Sequence, residues 1–218
     1  MTACTVAGEE FVLLPERAAW WPAEKTLLVA DFHLGKAASF RRAGIPMPEG
    51  TTSENVERLQ RAVAASGAQH LVFLGDFLHS AEGRGQRTLE QFAAWRAAQR
   101  ELAITLVRGN HDDRAGDPPQ EWAMRCVDPG ERLGPFALVH DPVPVAGAYA
   151  LAGHIHPAMR LSERGGQSLR LPCFWFGARV GVLPSFGAFT GSALVRPRAG
   201  DQVFVVADGE IIGVRFGD

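Results

Sequence analysis

The sequence predicts an α/β fold in which two β-sheets pack face to face with helices outside. Strand-like and helix-like segments alternate through the first half of the chain, the pattern of a sheet with covering helices. From Met124 onward the segments become short, closely spaced strands with turn residues between them. Six of the seven histidines follow directly on apolar strand-like runs, where α/β sheets bind their ligands.

The elements follow in chain order. Phe11 to Leu14, Ala19 to Trp21 and Thr26 to Ala30 read as strands, with a turn near Pro15 and Glu16, and the unbroken apolar run of the third makes it a buried one. Thr51 to Ser66 reads as a helix, because Val56, Leu59 and Val63 share a face, Ser53 is placed to cap it and Gly67 to end it. Leu71 to Leu74 is the next buried strand. Thr88 to Arg100 follows as a helix carrying Leu89, Phe92 and Trp95, then Ile104 to Val107 as a strand. The β-rich half offers Phe136 to Val139, Tyr149 to Ala152, Ala158 to Leu161, Ser168 to Leu171, Val180 to Leu183, Val203 to Val206 and Ile211 to Val214. Arg164-Gly165-Gly166 and Asp208-Gly209 are hairpin signals. No repeat, low-complexity tract or separating linker is present, so the 218 residues are expected to form one domain.

Composition narrows the functional classes. The chain is 46% hydrophobic and 21% charged with a mean hydropathy near zero, as expected of a globular protein with a sizeable core. No apolar run approaches the roughly 20 residues of a membrane span. Glu9 and Glu10 interrupt any secretory pattern, and a cytoplasmic location is expected. Cys4, Cys126 and Cys173 are widely spaced and form no CxxC, which argues against a disulfide framework and against a thiolate metal site. A net charge of −2 does not announce a nucleic-acid coat, so any polyanion binding must be local.

The chemistry is concentrated in five short blocks: Asp31-Phe-His33, Gly75-Asp76, Gly109-Asn110-His111-Asp112, His140 alone, and Gly153-His154-Ile-His156. Because Asn55 and Asn110 are the only asparagines, Gly-Asn-His-Asp is expected by chance in about 0.0003 copies, which makes it the discriminating block. Aspartate, histidine and a side-chain amide suit manganese, iron or zinc, and two such ions need about seven or eight ligand atoms with one carboxylate shared. Asp31, His33, Asp76, Asn110, His140, His154 and His156 would supply them.

In this order the blocks resemble the calcineurin-like metallophosphoesterase superfamily, from Asp31 to His156. The resemblance implies a four-layer αββα sandwich with the site at one sheet edge. It implies one divalent ion on Asp31, His33, Asp76 and His156, and a second on Asp76, Asn110, His140 and His154, with Asp76 as the bridge. A narrower resemblance, carried by Asp31-Phe-His-Leu-Gly-Lys36, Phe40-Arg-Arg-Ala-Gly44-Ile-Pro46, Gly75-Asp-Phe-Leu-His79-Ser80 and Pro184-Ser-Phe-Gly187-Ala-Phe-Thr-Gly191, is to the bacterial ligase-associated DNA-damage-response endonucleases (PdeM-like). It implies a manganese-dependent DNA endonuclease working in DNA repair with an ATP-dependent DNA ligase, an exonuclease and a helicase-like protein. The chain departs from the superfamily's frequent Gly-Asp-x-x-Asp-Arg, having His79 and Ser80 in place of the acid and the arginine.

On this reading two ions about 3.5 to 4 Å apart activate a bridging water that attacks phosphorus in line. His111 is the general acid for the leaving oxygen, with Asp112 orienting its imidazole. Lys36, Arg41, Arg42 and Arg114 are candidate phosphate contacts, set against a solvated helix face; His79 is either a substrate contact or a loop residue. Trp20, Trp21 and Phe174-Trp175-Phe176 read as core rather than as base-stacking surfaces, and His70 as structural. The alternatives to a nuclease are a small-molecule phosphodiesterase or phosphatase and, in another class, a non-catalytic module, which would be expected to have lost ligands.

Overall fold

A computed structural model describes residues 1–162 and 168–215 of the chain. Its first sheet has seven strands in the order of the sequence: β1 (Thr2–Val6), β2 (Glu9–Leu14), β3 (Ala18–Trp21), β4 (Thr26–Val29), β5 (His70–Leu74), β6 (Ala103–Val107) and β7 (Met124–Val127). Pairing is antiparallel up to β4 and parallel from β4 to β7. The parallel steps require crossovers, which α1 (Lys36–Arg42), α2 (Thr51–Ser66), α3 (Gln86–Ala98) and the short α4 (Asn110–Ala115) provide.

The second sheet is built from β8 (Glu131–Leu133), β9 (Phe136–Leu138), β10 (Tyr149–Ala152), β11 (Pro157–Ser162), β12 (Ser168–Phe176), β13 (Val180–Val182), β14 (Ala193–Leu194), β15 (Gln202–Ala207) and β16 (Glu210–Val214). It too is mixed: β10 lies parallel to β9 and β13, whereas β12 is antiparallel to β11, β13 and β15. The Asp208-Gly209 hairpin forms as expected, with positive φ at both residues (47° and 78°), the requirement of a two-residue turn between β15 and β16. The expected turn at Arg164 to Gly166 lies outside the described residues.

Alternation along the central strands explains why they are apolar throughout. Leu27, Val29, Leu71, Phe73, Ile104 and Leu106 face the helices, meeting Leu59 and Val63 of α2 and Phe92 and Trp95 of α3. Leu28, Val72, Leu74 and Val107 face the other way, into a second core with Phe136, Leu138, Leu151, Phe174 and Phe176 of the opposite sheet. Trp21 joins this second core, so it and the Phe174 and Phe176 rings serve packing. The two mixed sheets therefore pack as the sequence predicts. The described helices all precede Ala123, and the second sheet carries two further small clusters, Cys173, Val203 and Val205 with Val195, and Val139, Ala150 and Ala152 with Val145. At the start of α2 the sequence expectation is corrected: Gly50, with φ 86°, occupies the cap, and the Ser53 hydroxyl donates to its carbonyl from inside the helix. Gly67 ends the helix as expected, donating its N–H to Val63. No described helix is long and apolar enough to cross a membrane.

One cluster ties the helices to the strand ends. Phe32 is fully buried and stacks on Phe77 and Phe186, 5.6 Å to each ring centroid, while Phe73 and Phe92 meet it edge-on. Replacing Phe32 by alanine should cost about 3–5 kcal/mol, the usual range for a buried phenylalanine, read from urea unfolding. A loss below about 1 kcal/mol, typical of surface positions, would show that this cluster is not what fixes the strand ends.

Candidate metal centre

The parallel strands of both sheets end at the same edge. Asp31 and His33 follow β4, Asp76 follows β5, Asn110 opens α4 after β6, His140 follows β9, and His154 and His156 follow β10. The loops are zipped together by their backbones: the N–H groups of Asp31, His33 and Leu34 donate to the carbonyls of Gly75, Asp76 and Phe77, and that of Gly153 donates to His140. In Asp31-Phe-His33 and Asp76-Phe77 the polar side chains sit beside phenylalanines anchored in the aromatic cluster. Asp31, His33, Asp76, His154 and His156 all have φ between 49° and 72°, a region costly for side-chain-bearing residues. Their concentration at one edge marks a built site. Spacing is set by glycine: a Cβ on Gly75 would overlap the His140 ring, and one on Gly109 the Asp76 carboxylate.

The seven side chains expected to meet do so, in two groups. In the first, His33 Nε2 and His156 Nε2 are 3.3 Å apart, and His156 Nε2 is 3.5 Å from Asp31 Oδ1. In the second, His140 Nε2 lies 3.2 Å from Asp76 Oδ1, 3.1 Å from Asn110 Oδ1 and 3.0 Å from His154 Nδ1. Asp76 stands between them, its Oδ2 being 3.9 Å from His33 Nε2.

The donor set fits cations. The Nδ1 of His156 faces the Gly191 carbonyl at 2.8 Å and that of His140 faces the Leu74 carbonyl at 3.1 Å, so each donates there and turns Nε2 inward. Two of the three groups that Nε2 of His140 meets, Asp76 Oδ1 and Asn110 Oδ1, are oxygen acceptors. Burial alone would lower the His140 pKa, yet its hydrogen bond to Asp76 and the charges of Asp76 and Asp31 carry it above the ordinary value. Burial likewise would raise Asp76, and His140, the His111 N–H and His33 outweigh it, holding the carboxyl below its usual range. The acceptors around His140 thus favour positive charge at this point of the site. His33, by contrast, is driven well below its ordinary value by burial, with Lys36 adding to the effect, and stays neutral as a ligand must.

His111 lies at the rim, its side chain 30% exposed, with Nε2 3.9 Å from Asp76 Oδ2. One expectation is corrected here. Asp112 does not orient His111; its buried carboxylate accepts the N–H groups of Phe77, Leu78 and Gly109 at 3.3, 2.8 and 3.0 Å. Burial raises that carboxyl to about 6 although three N–H groups oppose the shift. His111 Nδ1 instead donates to the backbone carbonyl of His79 at 2.6 Å, a contact that side-chain reasoning could not find. The His79 ring stacks on His111 with centroids 4.8 Å apart and turns Nδ1 to His33 Nδ1 at 3.4 Å, so His33, His79 and His111 form a third cluster. Burial, then Lys36 and His111, push His79 down to about 4.

The basic candidates separate. Lys36 borders a hollow with His33, close enough to Asp31 and Asp76 to feel both charges. Arg41 and Arg42 are exposed at the end of α1 and line a different depression with Arg87, which contains none of the seven residues. Arg114 is exposed on α4. His70 bonds Thr26 and Thr105 within the sheet.

The calcineurin-like phosphoesterase family model matches residues 24–173. Among solved structures, Pseudomonas putida nuclease MPE is 38% identical with a TM-score of 0.86, the match covering 98% of this chain and 99% of that one. Yfce, a phosphoesterase from E. coli, is 16% identical with a TM-score of 0.43 over 87% of this chain and 97% of its own. No curated protein matches in a sequence comparison.

Exchanging Asp112 for asparagine turns an amide N–H₂ toward backbone donors, so Asp112→Asn should lose about 1–3 kcal/mol of stability in chemical denaturation. Unchanged stability with impaired turnover would return Asp112 to the role of orienting His111.

Proposed function

Since the chain belongs to the calcineurin-like phosphoesterase family, we propose that it is a two-metal phosphodiesterase whose substrate is DNA and whose residues act as follows. Asp31, His33, Asp76 and His156 hold one divalent cation; Asp76, Asn110, His140 and His154 hold the other. The observation that carries this is the position of Asp76, whose two oxygens face separate ligand groups at 3.2 and 3.9 Å. This set of carboxylate, amide and imidazole donors suits manganese, iron or zinc, of which manganese is the one proposed. When bound, such cations supply positive charge for the phosphate oxygens and acidify the attacking water.

The rest is done by the chain. Asp31, nearly inaccessible to water, accepts the backbone N–H of His154 on both oxygens, which fixes the Gly153–His156 loop against the first sheet. His111, with Nδ1 donating to His79, presents Nε2 to the open side, and from there a protonated ring delivers its proton to the leaving oxygen. Lys36, which lines a hollow with His33 and feels the charges of Asp31 and Asp76, is the cation we assign to the phosphate. Arg41, Arg42 and Arg114 extend the basic surface outward. The nuclease likeness over nearly the whole length favours an endonuclease over a small-molecule enzyme. By the resemblance of its motifs to the ligase-associated DNA-damage-response endonucleases, it would serve DNA repair beside an ATP-dependent DNA ligase, an exonuclease and a helicase-like protein. We read both sheets as one domain, because each ligand group draws on both.

Asp76→Asn should bind fewer than two ions and lose nearly all activity, checked by metal analysis and turnover of a phosphodiester; two bound ions with normal turnover would overturn the assignment. His111→Ala should keep two ions but lose about 10²–10⁴-fold on an alkyl diester and less on a nitrophenyl diester, whose leaving group needs little protonation. Equal losses on both would remove His111 from the acid role.

A further inference from the structure

Beside His156 a cavity of about 290 Å³ is bordered by Arg17, Arg58 and Arg170. Arg17 and Arg58 are half-buried and Arg170 is exposed, and gathering the two half-buried guanidiniums away from water is costly unless an anion joins them. Among the described residues the arginine ion pairs involve Arg108 and Arg125, and none of these three. Arg17 donates to the Ser185 carbonyl at 3.3 Å. Arg170 donates to the Ser192 carbonyl. Arg58 donates to Asn55 and to the Phe186 carbonyl and lies over the Phe186 ring, while its Nε, shielded from water, has no partner among the described residues. Burial, with repulsion from Arg17 and Arg61, outweighs the attraction of Glu16 and Glu54 and lowers Arg58 to about 10. The hollow is thus electropositive and under-compensated.

Two further features point to the kind of anion. Phe189 stands at the cavity wall, 52% exposed and with φ 56°, so the chain spends backbone strain to present an aromatic ring to solvent. An exposed ring next to cations is how single strands are held, base on the ring and phosphate on the charge. The cavity also shares Ala188 with the hollow that contains His33 and Lys36, so the two adjoin at the metal centre. Its wall is the loop whose Gly191 carbonyl orients His156.

We propose that this cavity is a nucleotide subsite, in which Arg17, Arg58 and Arg170 hold a phosphate flanking the scissile one and Phe189 stacks its base. The subsite rests on the reading of the chain as a DNA phosphodiesterase. It explains how a chain with net charge −2 grips a polyanion: the positive charge is local and faces the strand.

The test compares wild type with Arg17→Gln, Arg170→Gln and Phe189→Ala on two substrates, bis(p-nitrophenyl) phosphate and a labelled single-stranded oligothymidylate. Thermal unfolding establishes that each variant is folded. The ratio of oligonucleotide to small-diester kcat/KM should fall about tenfold or more for each arginine variant, as for one lost charge-assisted hydrogen bond. The salt dependence of oligonucleotide binding should flatten by about 0.7 in log–log slope per arginine removed, and Phe189→Ala should weaken binding without changing that slope. Equal losses on both substrates, or unchanged slopes in folded variants, overturn the subsite alone. Wild type that hydrolyses the small diester yet neither binds nor cuts the oligonucleotide overturns the DNA reading, and the subsite with it.

Discussion

Everything at the working edge depends on the sharing of the Asp76 carboxylate between two groups of ligands. A carboxylate with 3% exposure carries a charge that the interior cannot solvate. On one oxygen it meets His140 and the backbone N–H of His111, and its other oxygen faces His33 and the His111 ring. Each neighbour belongs to a different loop, so the position of this one side chain fixes where β4, β5, β6 and β9 must end relative to one another. Two bound cations would complete the same arrangement by supplying the positive charge that these buried acceptors favour.

That demand explains the strain and the sequence choices around it. Five left-handed side-chain-bearing residues in one edge would cost several kcal/mol together, and the cost is met by burial beneath them. Phe32 and Phe77, each adjacent to a ligand in sequence, stack with Phe186 from the second half of the chain. Phe186 in turn begins the loop that ends at Gly191, which sets His156. The aromatic cluster, the ligand geometry and the Arg-lined cavity are therefore one connected piece of structure, and a change in any one of them should be felt in the others.

Much of this was legible in the sequence because apolar runs and rare residue combinations are strong signals. Thr26 to Ala30, Leu71 to Leu74 and Ile104 to Val107 read as buried strands, and Asp31, Asp76 and Asn110 sit directly beyond them. Short elements were not legible: β1, β7, β8 and α4 span three to six residues, too few to show a period, and the three strands form through pairing with neighbours. The role of Asp112 was misread because sequence adjacency to His111 says nothing about direction; at the start of α4 its carboxylate turns back to backbone N–H groups. Arg17, Arg58 and Arg170 lie in three distant segments, and only the fold brings them together.

The central claim is that two cations flank Asp76, and an anomalous difference map from crystals grown with manganese tests it most directly. The account predicts two peaks, one against Asp31, His33 and His156, the other against Asn110, His140 and His154, with Asp76 touching both. A single peak, or a peak held by His33, His79 and His111 with the Asn110 group empty, would contradict it.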